Sequence, residues 1–111
     1  MRRNARVDAN QPEVVKYLRG LGWAVHHTHQ LGKGHPDLLV SRRVQGLPWA
    51  CVVELKDGSK PPSAQKLTKD EQDFAEEYLG PYVVCNSPED CAQKLLAEAN
   101  HHWLTLGRGK D

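Results

Sequence analysis

No run of apolar residues in this chain approaches the roughly 18 needed to cross a bilayer, and no signal-peptide pattern opens it. Both absences point to a cytoplasmic protein with no membrane partner. Cysteine is scarce. Cys51, Cys85 and Cys91 are odd in number and lack C-x-x-C spacing, which argues against a disulfide framework or a zinc knuckle. Cys51 lies in an apolar stretch and reads as a small core residue. A surplus of one charge is lacking too: 15 Lys and Arg face 14 Asp and Glu, a formal net charge of +1. Bulk charge therefore gives no argument for nucleic acid. No internal repeat is visible.

What is present is an ordinary globular balance, 39% hydrophobic and 26% charged over 111 residues. That is one domain with a real core. The core is expected over about residues 10–98, with flexible ends at 1–9 and 100–111. The basic residues are unevenly spread. Arg2, Arg3 and Arg6 crowd the start, Arg42 and Arg43 follow one apolar stretch, and Lys56, Lys60, Lys66 and Lys69 follow another. Local clusters can hold phosphate in a chain of near-zero net charge, though a solvated surface is the plainer reading of any one.

Caps and periodicity give the order of elements. Asn10-Gln11-Pro12-Glu13 has the form of a capping box, followed by Val14, Leu18 and Leu21 at helical spacing and closed by Gly20 and Gly22. Strands are expected at Trp23–His29, Asp37–Ser41 and Trp49–Lys56, the last two joined through Gln45-Gly46-Leu47-Pro48. Gly58–Lys66 reads as an exposed, mobile loop. Thr68 and Glu71 form a second capping box, opening a helix through Leu79 that Gly80-Pro81 stops. A strand at Tyr82–Cys85 and a helix capped by Ser87-Pro88, bearing Cys91, Leu95 and Leu96, complete the chain. The order α-β-β-β-α-β-α makes an α/β fold, a mixed central sheet flanked by helices.

The informative feature is charge inside strands. Glu54 and Lys56 share one face of their strand, while Val53 and Leu55 take the other. Asp37 opens a neighbouring strand, and Pro36 before it cannot donate to the ladder, which suits a strand start. If the strands are adjacent, two carboxylates and an ammonium converge. That arrangement suits Mg²⁺, which takes oxygen ligands, keeps several waters, and binds one or two carboxylates together with a phosphate.

The stretches "HPDLL" and "VVELKDG", with Glu13 on the first helix, Gly34 before Pro36-Asp37, and "LTKDEQDF" on the later helix, resemble the PD-(D/E)XK nuclease superfamily. They look most like its small VRR-NUC-type and phage Holliday-junction-resolvase-like members, over roughly Asn10 to Val84. The resemblance implies a restriction-endonuclease-like core and a Mg²⁺- or Mn²⁺-dependent DNA endonuclease acting on branched or structured DNA, or nicking duplex. It implies Asp37, Glu54 and the backbone carbonyl of Leu55 as metal ligands, with Lys56 as the catalytic lysine. Glu13 would be a further carboxylate at the metal, and Gln72 would orient water or phosphate. It also implies a homodimer in a bacterial host cell, phage-encoded, with phage or host recombination or packaging proteins as further partners. The alternative is a nuclease fold that has lost catalysis and serves as a DNA-binding or assembly subunit.

Lys33, His35, Lys60, Lys66, Lys69, Arg3 and Arg6 are the candidate DNA contacts, with the loop Gly58–Lys66 as the segment that closes over nucleic acid. Some residues have plainer readings. Glu13 and Glu71 are both explained by helix capping alone. His27 and His29 share a strand face, with His26 on the other, but zinc needs further ligands at sensible spacing.

Overall fold

Alternation along each strand decides which side chains go inward, and the computed structural model of the chain is built on that rule. It describes residues 10–109, with side chains through His101. Arg2, Arg3 and Arg6 lie outside the described residues. The elements run α1 (Gln11–Gly20), β1 (Ala24–His27), β2 (Leu38–Val44), β3 (Leu47–Leu55), α2 (Lys69–Glu77), β4 (Tyr82–Cys85) and α3 (Pro88–Gly109). This is the expected order, with short 3-10 turns added at His29–Leu31 and Pro62–Gln65. Among the described residues no helix is long and apolar enough to cross a membrane.

The strands form one mixed sheet in the order β1-β2-β3-β4. β1, β2 and β3 are an antiparallel meander, and β4 returns parallel to β3 after the α2 crossover. One face carries Val25, Leu38, Val40, Cys51, Val53, Leu55, Val83 and Cys85. They pack with Val14, Val15 and Leu18 of α1 and Cys91, Leu95 and Ala99 of α3. Burial pushes the Cys51 thiol up to about 12, so it packs as a small apolar group. The opposite face carries Val52 and Glu54 of β3 and Tyr82 and Val84 of β4, and α2 lies over that end of it.

Several boundaries differ from the sequence reading, each for a local reason. Asn10 heads α1 but makes no side-chain cap. Its Nδ2 donates instead to the carbonyls of Lys56 at 3.3 Å and Asn86 at 3.1 Å, tying α1 to the ends of β3 and β4. β1 stops at His27, not His29, because Thr28 turns away to bond the next segment. Its N–H donates to the Asp37 carbonyl at 2.9 Å and its hydroxyl to the Pro36 carbonyl at 2.7 Å. His29 thus leaves the strand face that it was expected to share with His27.

The β2–β3 turn is only Gln45-Gly46, both at positive φ (53° and 82°), the pattern of a two-residue hairpin. β2 runs on to Val44, and Pro48, read as loop, pairs with Arg43 inside the ladder. Proline is tolerated there because β4 pairs with β3 only from Val52 onward, leaving that edge open. α3 continues to Gly109, past Asn100 where a flexible end was expected.

Candidate functional site

Register brings the charged residues together. Leu38 pairs with Val53, so the next step of the ladder sets Asp37 opposite Glu54 on the face away from the core. The Leu55 N–H donates to Asp37 Oδ2 at 2.8 Å, fixing that carboxylate against β3. Two residues beyond Glu54, Lys56 returns to the same face, with Nζ 3.6 Å from Glu54 Oε2. Asp37, Glu54 and Lys56 therefore converge.

A fourth group joins them from α2. Lys56 Nζ donates to Glu71 Oε1 at 2.7 Å. The same oxygen accepts the Thr68 N–H at 2.9 Å, while the Glu71 N–H donates to Thr68 Oγ1 at 3.2 Å. Glu71 thus completes the expected capping box and also reaches the charged group. Glycine at 34 makes the approach possible: it sits at φ +82°, and a Cβ there would collide with the Asp70 carbonyl in the first turn of α2.

The electrostatics are unbalanced. Glu54 and Glu71 flank the Lys56 ammonium, and Asp37 adds its charge at Glu54, so three carboxyl groups share one cation. Glu54 is only 4% exposed, and its Oε1 is buried without a hydrogen-bond partner. Burial, with the charges of Asp37 and Glu71 added, pushes its carboxyl up to about 9, and Lys56 offsets this only in part. Burial also works to lower the Lys56 ammonium. The bond and charge of Glu71, with Glu54 behind it, outweigh that and raise it, so it stays charged. For Glu71, burial is outweighed by Lys56 and the Thr68 N–H, and its carboxyl is lowered.

Tyr82 borders this group from β4. Its backbone is level with Val52, which puts its ring on the Glu54 face, 6.1 Å from the ring of Phe74 on α2. Its hydroxyl is buried without a hydrogen-bond partner. Burial raises the phenol, and Glu54, Glu71 and Asp37 raise it further, so it keeps its proton.

Other expected site residues lie elsewhere. Glu13 is exposed on α1 and borders a hollow of about 330 Å³ with Asp57, Gly58 and Asn86. It is not among the residues gathered around Glu54. Gln72 is exposed and donates to the Leu67 carbonyl at 3.0 Å. Lys69 is paired with Asp73 one turn along its own helix, at 2.6 Å. Lys33 is exposed in the turn before β2, at φ 51°. The exposed His35 ring lies 5.2 Å from Phe74, with Nδ1 2.6 Å from the Gly32 carbonyl.

Lys60 and Lys66 are exposed on the segment after β3. That segment is more built than a linker: Gln65 donates to the Lys60 carbonyl at 2.6 Å, and Asn86 donates to Gln65 Oε1 at 3.2 Å. The Arg42 guanidinium stands 5.4 Å above the Trp23 ring and donates to the Leu21 carbonyl, and Arg43 donates to the Gly46 carbonyl. The expected arginine cluster braces the far end of the sheet.

Glu71 and Tyr82 are the residues that the sequence reading missed. A capping-box Glu is already explained by its helix, and a strand tyrosine by the core. The available signal for Tyr82 was alternation, because Val83 and Cys85 point inward and leave Tyr82 on the charged face. The chain shows no significant match to any protein-family model, curated protein or solved structure.

Proposed function

We propose that this chain is a metal-dependent DNA endonuclease of restriction-endonuclease-like fold that hydrolyses phosphodiester bonds in branched or structured DNA. One observation carries the reading. A buried glutamate with an unpartnered oxygen sits across from an aspartate, in a group of three carboxylates with one ammonium. The carboxyl groups outnumber the ammonium, and a divalent cation would offset that surplus.

The residues fit such an ion. Among the described residues no three His, Cys, Asp or Glu side chains form a ready cage. Mg²⁺ does not need one, since it binds one or two carboxylates and keeps waters and substrate oxygens. Asp37 and Glu54 would hold it, with the Leu55 carbonyl alongside. When bound, Mg²⁺ or Mn²⁺ polarises a phosphoryl oxygen and lowers the pKa of water.

The chain's own residues supply the rest. The Leu55 N–H aims Asp37 at the site. Lys56, held charged by its neighbours, stabilises negative charge as it builds on the phosphate rather than acting as a base. It must first leave Glu71, whose bond to it occupies the ammonium in the free protein. That pairing is also what favours the second reading, a nuclease fold that binds or assembles without cutting. Exposed Lys33, Lys60 and Lys66 would meet the DNA backbone. Two copies around a two-fold axis would present two sites to a duplex or junction.

The test is incubation with supercoiled, linear and four-way-junction DNA in Mg²⁺, Mn²⁺ or EDTA, beside Glu54→Ala and Lys56→Ala. Metal-dependent cleavage by the wild type, reduced by at least about a hundredfold in each variant, is expected. Equal cleavage in either variant removes the assignment. Binding without cleavage in every metal establishes the second reading.

A further inference from the structure

The charged face of the sheet holds an acceptor with no donor and a donor with no acceptor. The acceptor is Glu54 Oε1 and the donor is the Tyr82 hydroxyl, both buried. They stand on neighbouring parallel strands, and their backbone positions differ by a single alternation: Tyr82 pairs with Val52, and Glu54 is the next residue of β3 on that face. Two other carboxylate oxygens nearby have donors. Glu71 Oε1 takes Lys56 and the Thr68 N–H, and Asp37 Oδ2 takes the Leu55 N–H.

A buried hydroxyl without a partner costs stability, of order 1–3 kcal/mol, and Phe would fill the same space without that cost. Phe74 against the ring explains the aromatic body of Tyr82; it does not explain the oxygen.

We propose that Tyr82 is a positioning residue for Glu54. Its hydroxyl donates to the Glu54 carboxylate when that carboxylate turns to a divalent cation, and fixes its aim. A carboxylate that ligates a metal is itself held by hydrogen bonds, and removing such an outer partner typically weakens metal affinity by 10–100-fold. The phenol suits the task because it remains protonated beside the carboxylates. The proposal rests on the metal-dependent reading of the site.

Wild type and Tyr82→Phe are compared in three measurements: melting temperature without metal, Mn²⁺ affinity by calorimetry, and the kcat and KM of DNA cleavage. The variant is expected to melt at the same temperature as wild type or higher. Its Mn²⁺ affinity should be about tenfold weaker, and kcat should fall while KM for DNA stays within about twofold. Unchanged Mn²⁺ affinity in the variant overturns the proposal. So does a drop of several degrees in metal-free melting with metal affinity intact, which marks a structural tyrosine only. A wild type that binds Mn²⁺ and cuts nothing removes the nuclease reading but leaves the Tyr82 role standing if the variant binds more weakly. A wild type that neither binds Mn²⁺ nor cuts removes both.

Discussion

Glu54 is a carboxyl group buried beside two others, and pH acts on that conflict. Its folded-state value is raised from 4.5 to about 9. A raised acid contributes stability that is fully present below 4.5 and is lost as pH climbs through 9. Glu71 has the opposite sign: lowered in the folded state, it contributes stability above 4.5 that is lost as pH falls below it. The metal-free protein is therefore expected to melt at falling temperatures from about pH 5 to pH 9. Glu54→Gln should flatten that slope and melt several degrees higher at pH 8, at about 4–8 °C per kcal/mol for a domain of this size. It should also lose Mn²⁺ binding. Calorimetric melting across pH, with and without Mn²⁺, checks both. A variant that keeps the wild-type slope would place the buried proton elsewhere.

Helix α2 joins the site to the fold through its first turn. None of its residues is fully buried, so it depends on its cap, on the Lys56–Glu71 bond and on the rings around Phe74. Thr68→Ala removes the cap hydroxyl and should cost about 1 kcal/mol in urea unfolding. It should also loosen the hold on Lys56 indirectly, because the lost hydroxyl holds the backbone N–H of Glu71, whose side chain binds Lys56.

The two capping boxes show how far sequence carries at this level. Thr68 and Glu71 form theirs as expected. Asn10 does not, because its amide is drawn to carbonyls of Lys56 and Asn86 that are distant in sequence. Local patterns locate both helices correctly, yet the two glutamates change places. Glu13, expected at the metal, is a surface residue, and Glu71, expected only as a cap, stands at Lys56. Nothing within one turn of helix distinguishes them; the long-range approach of α2 to the sheet does.

At the scale of the molecule the sheet divides its labour by face. The core face binds α1 and α3 and supplies most of the packing, and its strands were legible as alternating apolar positions. Leu95, fully buried in that cluster, sets the scale. Leu95→Ala should cost about 2–5 kcal/mol, with the cleavage rate of the remaining folded protein unchanged, as read by urea unfolding and by the kcat of the folded fraction. The other face carries the charged group, and its convergence of Asp37, Glu54 and Lys56 followed from strand alternation once adjacency was granted. Alternation put Tyr82 on that face, but its nearness to Glu54 was not legible, because it depends on β4 lying beside β3, a pairing between stretches far apart in the chain.

The two-residue turn at Gln45-Gly46 has a consequence in time. It joins β2 to β3 with almost no chain to close, and hairpins of this kind form within about 1–10 μs. Asp37 and Glu54 come opposite each other as soon as that hairpin zips to its open end. Glu71 and Tyr82 arrive only with the long crossover that brings β4 alongside, a slower, non-local closure. By this order the carboxylate pair would first meet, transiently, before Glu71 engages Lys56 and before Tyr82 docks. A cation met at that stage would enter an open hairpin instead of a covered sheet, and loading would belong to the chain's assembly as much as to its finished form.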